Sequence, residues 1–254
     1  MPSPQLSVCP PPPQAAVDCS TMSSALPDAV NYHAWILEVL GRWIGPGPLL
    51  EVGPGYGQYT RAIAPKVERV TAVDCDPVCV QRLRGTIGNV EARVGDITDP
   101  DLAVRLGAGA FETVVCLNVL EHIEKDATVL RFFRRVLRPE GRLLLVVPAH
   151  PALYGPMDRL AGHYRRYTRS VLRQKLVAAG FTVVLLRYFN PLGGLAWWVN
   201  SRLFKPKGLS DPLINRQIML FDRFVQPISR RIDPLTRGFF GQSLWAVATP
   251  RRAG

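Results

Sequence analysis

The residues with the clearest chemical potential lie in Glu51-Val52-Gly53-Pro54-Gly55-Tyr56-Gly57, where the apolar pair Leu49-Leu50 runs into a carboxylate and three glycines follow at alternate positions. A helical pattern resumes at Gln58, so the stretch reads as strand, tight turn and helix. Glycine tolerates positive φ and has no Cβ, which lets a ligand lie against bare backbone. The start of the helix then offers unpaired N–H groups to an anionic end. A dinucleotide fingerprint has the spacing G-x-G-x-x-G; here it is Gly53-x-Gly55-x-Gly57 with Glu51 two residues ahead. A carboxylate in that place is poorly suited to a pyrophosphate and well suited to a ligand carrying an ammonium or sulfonium.

Three further segments repeat the theme of a polar residue at the end of an apolar run. Asp74 closes Val67 to Asp74, Asp96 follows Val94-Gly95, and Asn118 lies in Phe111 to His122. An acid at Asp74 can accept both hydroxyls of a ribose, and hydrogen bonds to an ionised acceptor are worth roughly 1.5–3 kcal/mol each. Four such pieces in this order resemble the class I S-adenosylmethionine (SAM) dependent methyltransferases. The resemblance implies that Gly53, Gly55 and Gly57 pass the methionine part of SAM, while Glu51 helps to hold its amino group. It further places Asp96 at the adenine amino group, Ile97 against the ring and the Asn118 loop beside the sulfonium.

The elements that must position these residues alternate strand and helix. Helical patterns begin near Pro77, Asp99 and Glu124, the last ending at Pro139-Glu140-Gly141, and Arg142 to Val147 has the unbroken apolar character of a strand buried on both faces. Gly180 to Leu186 and Ser243 to Ala248 read as late strands. The alternation predicts an α/β fold: a doubly wound, mostly parallel, seven-stranded Rossmann-like sheet whose ligands lie beyond the strands' carboxyl ends. Residues 1–27, with Pro10 to Pro13 in a row, are expected to be a disordered tail, and residues 28–254 one domain. Asp28 to Trp43 reads as an aromatic leading helix, and the resemblance implies that it covers SAM, with Tyr32 and His33 lining the site. The insert at 148–170 begins where the fifth strand opens onto the active face, so its side chains are expected to look at the acceptor. The insert at 190–240 is too long for a plain connection and is expected to form a lid or acceptor-binding subdomain, with a helix from Leu213 to Ser229.

The wording of the first insert, Pro148-Ala149-His150-Pro151 with Tyr154-Gly155 and then Gly162-His163-Tyr164-Arg165-Arg166-Tyr167, is similar to a bacterial group of these methyltransferases (the type 11/12-like group). Members of that group occur near sugar- and lipid-modifying enzymes and in secondary-metabolite pathways, so the resemblance implies methyl transfer and leaves the acceptor open. An oxygen or neutral nitrogen acceptor has to lose a proton, and histidine has the fitting unperturbed pKa. Of four histidines, His150 and then His163 are the candidates for base or acceptor-orienting group. Tyr32, His122, Tyr154, Tyr164 and Arg165 are the candidates for acceptor contacts. No metal-binding spacing is apparent, which argues against a cation-dependent catechol methylase.

Charge divides the chain. Residues 1–127 hold 9 Lys and Arg against 15 Asp and Glu, whereas residues 128–254 hold 22 against 5, within a net charge of +11. The basic half carries the inserts, which points to an anionic small-molecule or lipid-linked acceptor or to contact with an anionic membrane surface. Trp197, Trp198 and Phe204 beside Lys205 and Lys207 would suit an interfacial helix. Positive charge also suggests RNA, but no RNA-binding module is recognisable, and Asn118-Val119-Leu120-Glu121 lacks the Asn/Asp-Pro-Pro-aromatic signature of base-amine methylases; nothing points to DNA. A SAM-binding scaffold or sensor and a nucleotide-dependent oxidoreductase are the competing functions. No apolar run spans a bilayer, no secretory signal is visible, and the five cysteines read as free thiols, so the expected location is cytoplasmic, with peripheral membrane contact as the variant.

Overall fold

Strands of mostly buried apolar residues, separated by turns rich in glycine and acid, assemble here into one seven-stranded sheet in the order β3-β2-β1-β4-β5-β7-β6. The computed structural model describes residues 29–203 and 212–251. The expected tail at 1–27 and the residues Phe204, Lys205 and Lys207 lie outside the described residues.

In chain order the elements are α1 (Val30–Gly41), β1 (Leu49–Val52), α2 (Gln58–Ile63), β2 (Val70–Asp74), α3 (Pro77–Leu83), β3 (Val90–Val94), α4 (Pro100–Leu106), β4 (Phe111–Leu117) and α5 (Asp126–Val136). They continue with β5 (Leu137–Pro148), α6 (Pro156–Leu160), α7 (Arg169–Ala178), β6 (Phe181–Phe189), α8 (Pro191–Leu203), α9 (Pro212–Leu220), a π-helical turn (Phe221–Val225), α10 (Gln226–Thr236) and β7 (Ser243–Pro250). β1 to β5 pair in parallel, and β7 runs antiparallel between β5 and β6. The expected doubly wound, mostly parallel sheet is therefore what forms.

Alternation along β5 shows how the sheet is buried on both faces. Leu143, Leu145 and Val147 join a layer with Leu102, Leu130, Phe133 and Leu172 from α4, α5 and α7. Leu144 and Val146 join the opposite layer with Trp35, Ile36, Ile63 and Leu83 from α1, α2 and α3. Helix starts follow the side chains available: Asp76 and Asp99 accept from the backbone N–H groups of Val78 and Asp101, each just ahead of a proline suited to the first helical turn.

Two boundaries depart from the sequence reading. β5 starts at Leu137, so Pro139-Glu140-Gly141, read as the end of a helix, lies inside the strand. Leu137 pairs with Phe111, the register shifts between Phe111 and Thr113, and a Cβ on Gly141 would come within 2.9 Å of the Glu112 carbonyl oxygen. The helix expected from Leu213 to Ser229 is instead α9, the π-helical turn and α10 in one run ending at Thr236. Of the cysteines expected to be free thiols, Cys116 and Cys75 are outside any disulfide, Cys79 is disulfide-bonded, which corrects that expectation, and Cys9 and Cys19 lie outside the described residues.

The second insert is fastened to the rest of the chain at two places, after β6 and at the start of α1. Asn190, after β6, accepts on its side-chain oxygen from the Gly193 N–H at 3.1 Å and the Ser229 hydroxyl at 2.7 Å, and donates to Gln242 at 2.8 Å. Asp222, in the π-helical turn and 6% exposed, accepts from the backbone N–H groups of Asn31 at 2.9 Å and Tyr32 at 2.8 Å, satisfying the start of α1. Arg230 of α10 forms an ion pair with Glu38 of α1. Replacing Asp222→Ala removes two charge-assisted bonds, so unfolding stability should drop by about 2 kcal/mol in urea denaturation. Amide exchange across residues 30–41 should quicken by more than it does in the sheet.

Candidate functional site

β1 delivers Glu51 to the carboxyl edge of the sheet and the glycine turn carries the chain away from it. Gly53, Gly55 and Gly57 all have positive φ, at 69°, 54° and 77°. A Cβ on Gly53 would collide with Val119 of the β4 loop, whereas one on Gly55 would meet nothing within 4 Å, so the turn is tight on one side and open on the other. Asp74, at the end of β2, ties this turn in place: its carboxylate accepts from the Gly55 N–H at 3.3 Å and the Asp76 N–H at 3.0 Å. Burial nevertheless raises its pKa, against the pull of the Asp76 and Gly55 amides.

Glu51 is 2% exposed and its Oε2 has no hydrogen-bond partner. Burial pushes its carboxyl up to about 7, opposed by the Thr60 hydroxyl beside it and reinforced by the charge of Asp74. An orphaned, dehydrated carboxyl next to an open glycine turn fits a ligand that brings its own positive charge. Asp96 is turned partly inward on its own loop, where its Oδ1 accepts from the Thr98 N–H and hydroxyl at 2.8 Å each, while Ile97 is buried at 7% exposure. Asn118 has φ 54° and stands directly after β4.

From α1, the Tyr32 hydroxyl reaches the side chains of Asn118 and Ser243, and burial lifts it to about 12. His33 and Tyr59 meet at 2.7 Å between ring nitrogen and hydroxyl. Through Tyr32 and His33 the leading helix is therefore joined to the residue after β4, to the start of β7 and to α2.

On the far side of Asn118 the structure gathers a second group. Glu121 is 1% exposed, with neither carboxylate oxygen hydrogen-bonded, and burial raises it to about 7 against the pull of His163. The rings of His122 and His163 meet edge to face at 4.7 Å. Burial and then His163 hold His122 down at about 4. His163 Nδ1 lies 2.9 Å from Asp158, and its Nε2 is 4.0 Å from Glu121. Asp158 is fully buried and also accepts from the Gly155 N–H at 2.9 Å, Arg166 at 2.8 Å and the Trp197 indole at 3.2 Å. The dominant effect of burial on Asp158 would raise its pKa, but His163, Arg166 and the Gly155 amide hold it below the usual carboxylate range.

The remaining sequence candidates separate from this group. His150 has φ 58° and stacks between Tyr188 at 4.6 Å and Phe240 at 5.2 Å, with its Nε2 buried and unpartnered. Burial and then Arg166 lower its pKa. Arg165 is engaged by Asp126 at 3.0 Å and the Glu124 carbonyl at 2.8 Å, which makes it a tie between the insert and α5. Tyr154 donates to the His163 carbonyl at 2.7 Å, and Tyr164 donates its N–H to the Glu121 carbonyl at 2.9 Å. Both rings are otherwise exposed. Sequence reasoning missed Glu121, Asp158 and Arg166; the one local signal was an acid inside Val119-Leu120-Glu121-His122-Ile123.

Comparison with known proteins agrees with the fold. The family model described as a methyltransferase domain matches residues 28–186. A curated relative from Pseudomonas paraeruginosa, named ubiquinone biosynthesis O-methyltransferase, is 32% identical over 123 residues, 47% of this chain and 52% of that protein. The chain thus matches about half the length of such relatives. Among solved structures, a SAM-dependent methyltransferase from Mesorhizobium loti superposes with a TM-score of 0.59 at 15% identity, covering 85% of this chain and 97% of that one. One from Archaeoglobus fulgidus gives 0.58 at 15%, covering 87% and 94%.

A carboxyl whose folded pKa of about 7 exceeds its ordinary 4.5 contributes stability that is fully present below pH 4.5 and lost as pH rises through 7. Glu51→Gln removes that titration. The stability of the native chain relative to the variant, measured by urea denaturation without ligand, should therefore fall by roughly 3 kcal/mol across that window. A difference that does not change with pH would mean that Glu51 is hydrated.

Proposed function

The chain belongs to the class I SAM-dependent methyltransferase family, and from that premise we propose that it transfers a methyl group from SAM to an oxygen of a small-molecule or lipid-linked acceptor. The observation that carries this reading is the orphaned carboxyl of Glu51 beside the open glycine turn, with the Glu121–His122–His163 group on the other side of Asn118. When bound, SAM supplies an electrophilic methyl whose bond to sulfur breaks as a carbon–oxygen bond forms, leaving a neutral thioether while the acceptor's proton passes to solvent.

This chain's residues then divide the remaining work. Glu51 holds the ammonium of the methionine part, and the charge it meets there relieves the cost of its dehydration. Asp74 accepts the ribose hydroxyls while its contact with Gly55 keeps the turn in register, and Asp96 and Ile97 receive the adenine. Tyr32 and Asn118 form the wall between the two halves, and α1 with α8 excludes water. Holding an acceptor and a donor in register, rather than any covalent step on the protein, supplies most of the rate, up to about 7–11 kcal/mol in well-oriented systems. Deprotonation of the acceptor falls to the side of the cleft that bears His122 and His163, with Asp158 fixing the orientation of the His163 ring. His150, clasped by two aromatic rings, shapes the base of the first insert.

An oxygen acceptor is favoured by the similarity to relatives named as O-methyltransferases. A lipid-linked or otherwise amphiphilic acceptor is favoured by the surface of the second insert, where Trp198, Met219, Leu220, Phe224 and Ile228 are exposed alongside Arg216, Arg223 and Arg231. No described helix is long and apolar enough to cross a membrane, so any membrane contact in this reading is peripheral.

Incubating the chain with methyl-labelled SAM and a host extract, then separating organic and aqueous phases, tests the reading. A new labelled species in the organic phase identifies a lipid-linked acceptor, a labelled species chromatographically distinct from SAM in the aqueous phase a soluble one, and no labelled species other than SAM rejects methyl transfer. For the cofactor side, Asp74→Ala should weaken S-adenosylhomocysteine binding roughly 10- to 100-fold by calorimetry, the loss expected for hydrogen bonds to an ionised acceptor.

A further inference from the structure

We propose that Glu121, His122 and His163 form a binding site for one divalent first-row transition-metal ion of the zinc class, placed to hold and acidify the acceptor's hydroxyl. One ligand atom from each of the three lies within 4.8 Å of the others. A bound ion needs distances of about 2.0–2.2 Å to each nitrogen or oxygen, so the three side chains would draw inward around it.

Four observations beyond the spacing point to an ion. Both carboxylate oxygens of Glu121 are buried without any hydrogen-bond partner, and a buried carboxylate ordinarily finds one. The ring of His163 is aimed by Asp158: an ionised acceptor at Nδ1 keeps a proton on that nitrogen, so the nitrogen that an ion would take is Nε2, 4.0 Å from Glu121, with any proton there displaced on binding. That carboxylate–histidine pairing is the outer support that metal-binding imidazoles regularly have. Asp158 is itself immobilised by Arg166, the Gly155 N–H and Trp197, so the ligand arm is stiff before any ion arrives. Finally, the His122 ring, hydrogen-bonded to the backbone of Gly162 and Ala161, meets that of His163 edge to face at 4.7 Å, which brings the two imidazoles together at one spot.

Two imidazoles and one carboxylate suit zinc, cobalt, iron or nickel better than magnesium or calcium, which prefer oxygen donors throughout. Three protein ligands leave open positions, the arrangement of a catalytic rather than a structural site. The site lies one step beyond Asn118 and close enough to Tyr32 for the charge of Glu121 to act on its hydroxyl. An oxygen that binds there loses its proton to solvent more readily and is held facing the cofactor side. That role rests on the methyl-transfer reading above, while ion binding itself does not.

The test uses the full chain, without an added histidine tag, stripped with EDTA and titrated with Co2+. One equivalent should bind and give a visible ligand-field band that Zn2+ abolishes. Glu121→Gln and His163→Gln should each weaken Co2+ binding at least tenfold and alter the band. Far-UV circular dichroism and S-adenosylhomocysteine calorimetry on the same samples report whether the variants fold. Folded variants that take up Co2+ as the native chain does, or a native chain that binds none, would overturn the site. Metal uptake with no S-adenosylhomocysteine binding would uphold the ion and reject the methyl-transfer reading. Cofactor binding with no metal uptake would do the reverse.

Discussion

Two carboxylates withheld from water, Glu51 and Glu121, set the terms for everything around them. Each sits at the carboxyl end of a central strand, each is held up near pH 7 by burial, and each has an oxygen with no partner. Such groups destabilise a fold by several kcal/mol unless an opposite charge answers them. They persist here because their surroundings do not yield. β1 is paired on both sides, its Leu49 and Leu50 are fully buried, and Leu120 beside Glu121 is equally enclosed. The apolar layers above and below the sheet keep the two acids in place, so what they lack has to be provided from the cleft.

The cleft was legible in the sequence to the extent that it is local. A strand, a glycine turn and a helix start follow one another within a dozen residues, and the residue types alone constrain the backbone there. The same holds for Asp74, which acts on Gly55 and Asp76 close by in the sheet. The acceptor side was legible only in part. His122 and His163 could be named as polar residues near strand ends, but the reason they matter is a fold-level coincidence. Asp158 joins α6, the first insert and α8 through His163, Arg166 and Trp197, and no periodicity encodes such a meeting. His150 drew notice by position and by residue type, yet its neighbours Tyr188 and Phe240 come from segments with no local signal linking them to it.

Backbone conformation supplies a pattern that residue types alone obscure. The non-glycine residues with positive φ among those described are Asn118, His150 and Asn190, and they follow β4, β5 and β6 in turn. Each turns the chain sharply at the same edge of the sheet. Asparagine enters the left-handed region with modest cost, and histidine is also enriched there. Strain of this kind, about 1–3 kcal/mol per residue, persists only where neighbours over-determine it. Here the neighbours are Tyr32 at Asn118, the two aromatic rings at His150, and Ser229 with Gln242 at Asn190. The sheet therefore ends in a row of stiff corners, and the inserts hang from them.

Asp222 gives the second insert a hold on the opposite half of the molecule, because the carboxylate that satisfies the first amides of α1 belongs to the π-helical turn. One buried carboxylate therefore serves two segments far apart in the chain: moving α1 away would leave Asp222 without its amide partners, and moving the π-helical turn away would leave the first amides of α1 unanswered. The two segments are thus coupled, and a change in the position of either costs the same pair of hydrogen bonds.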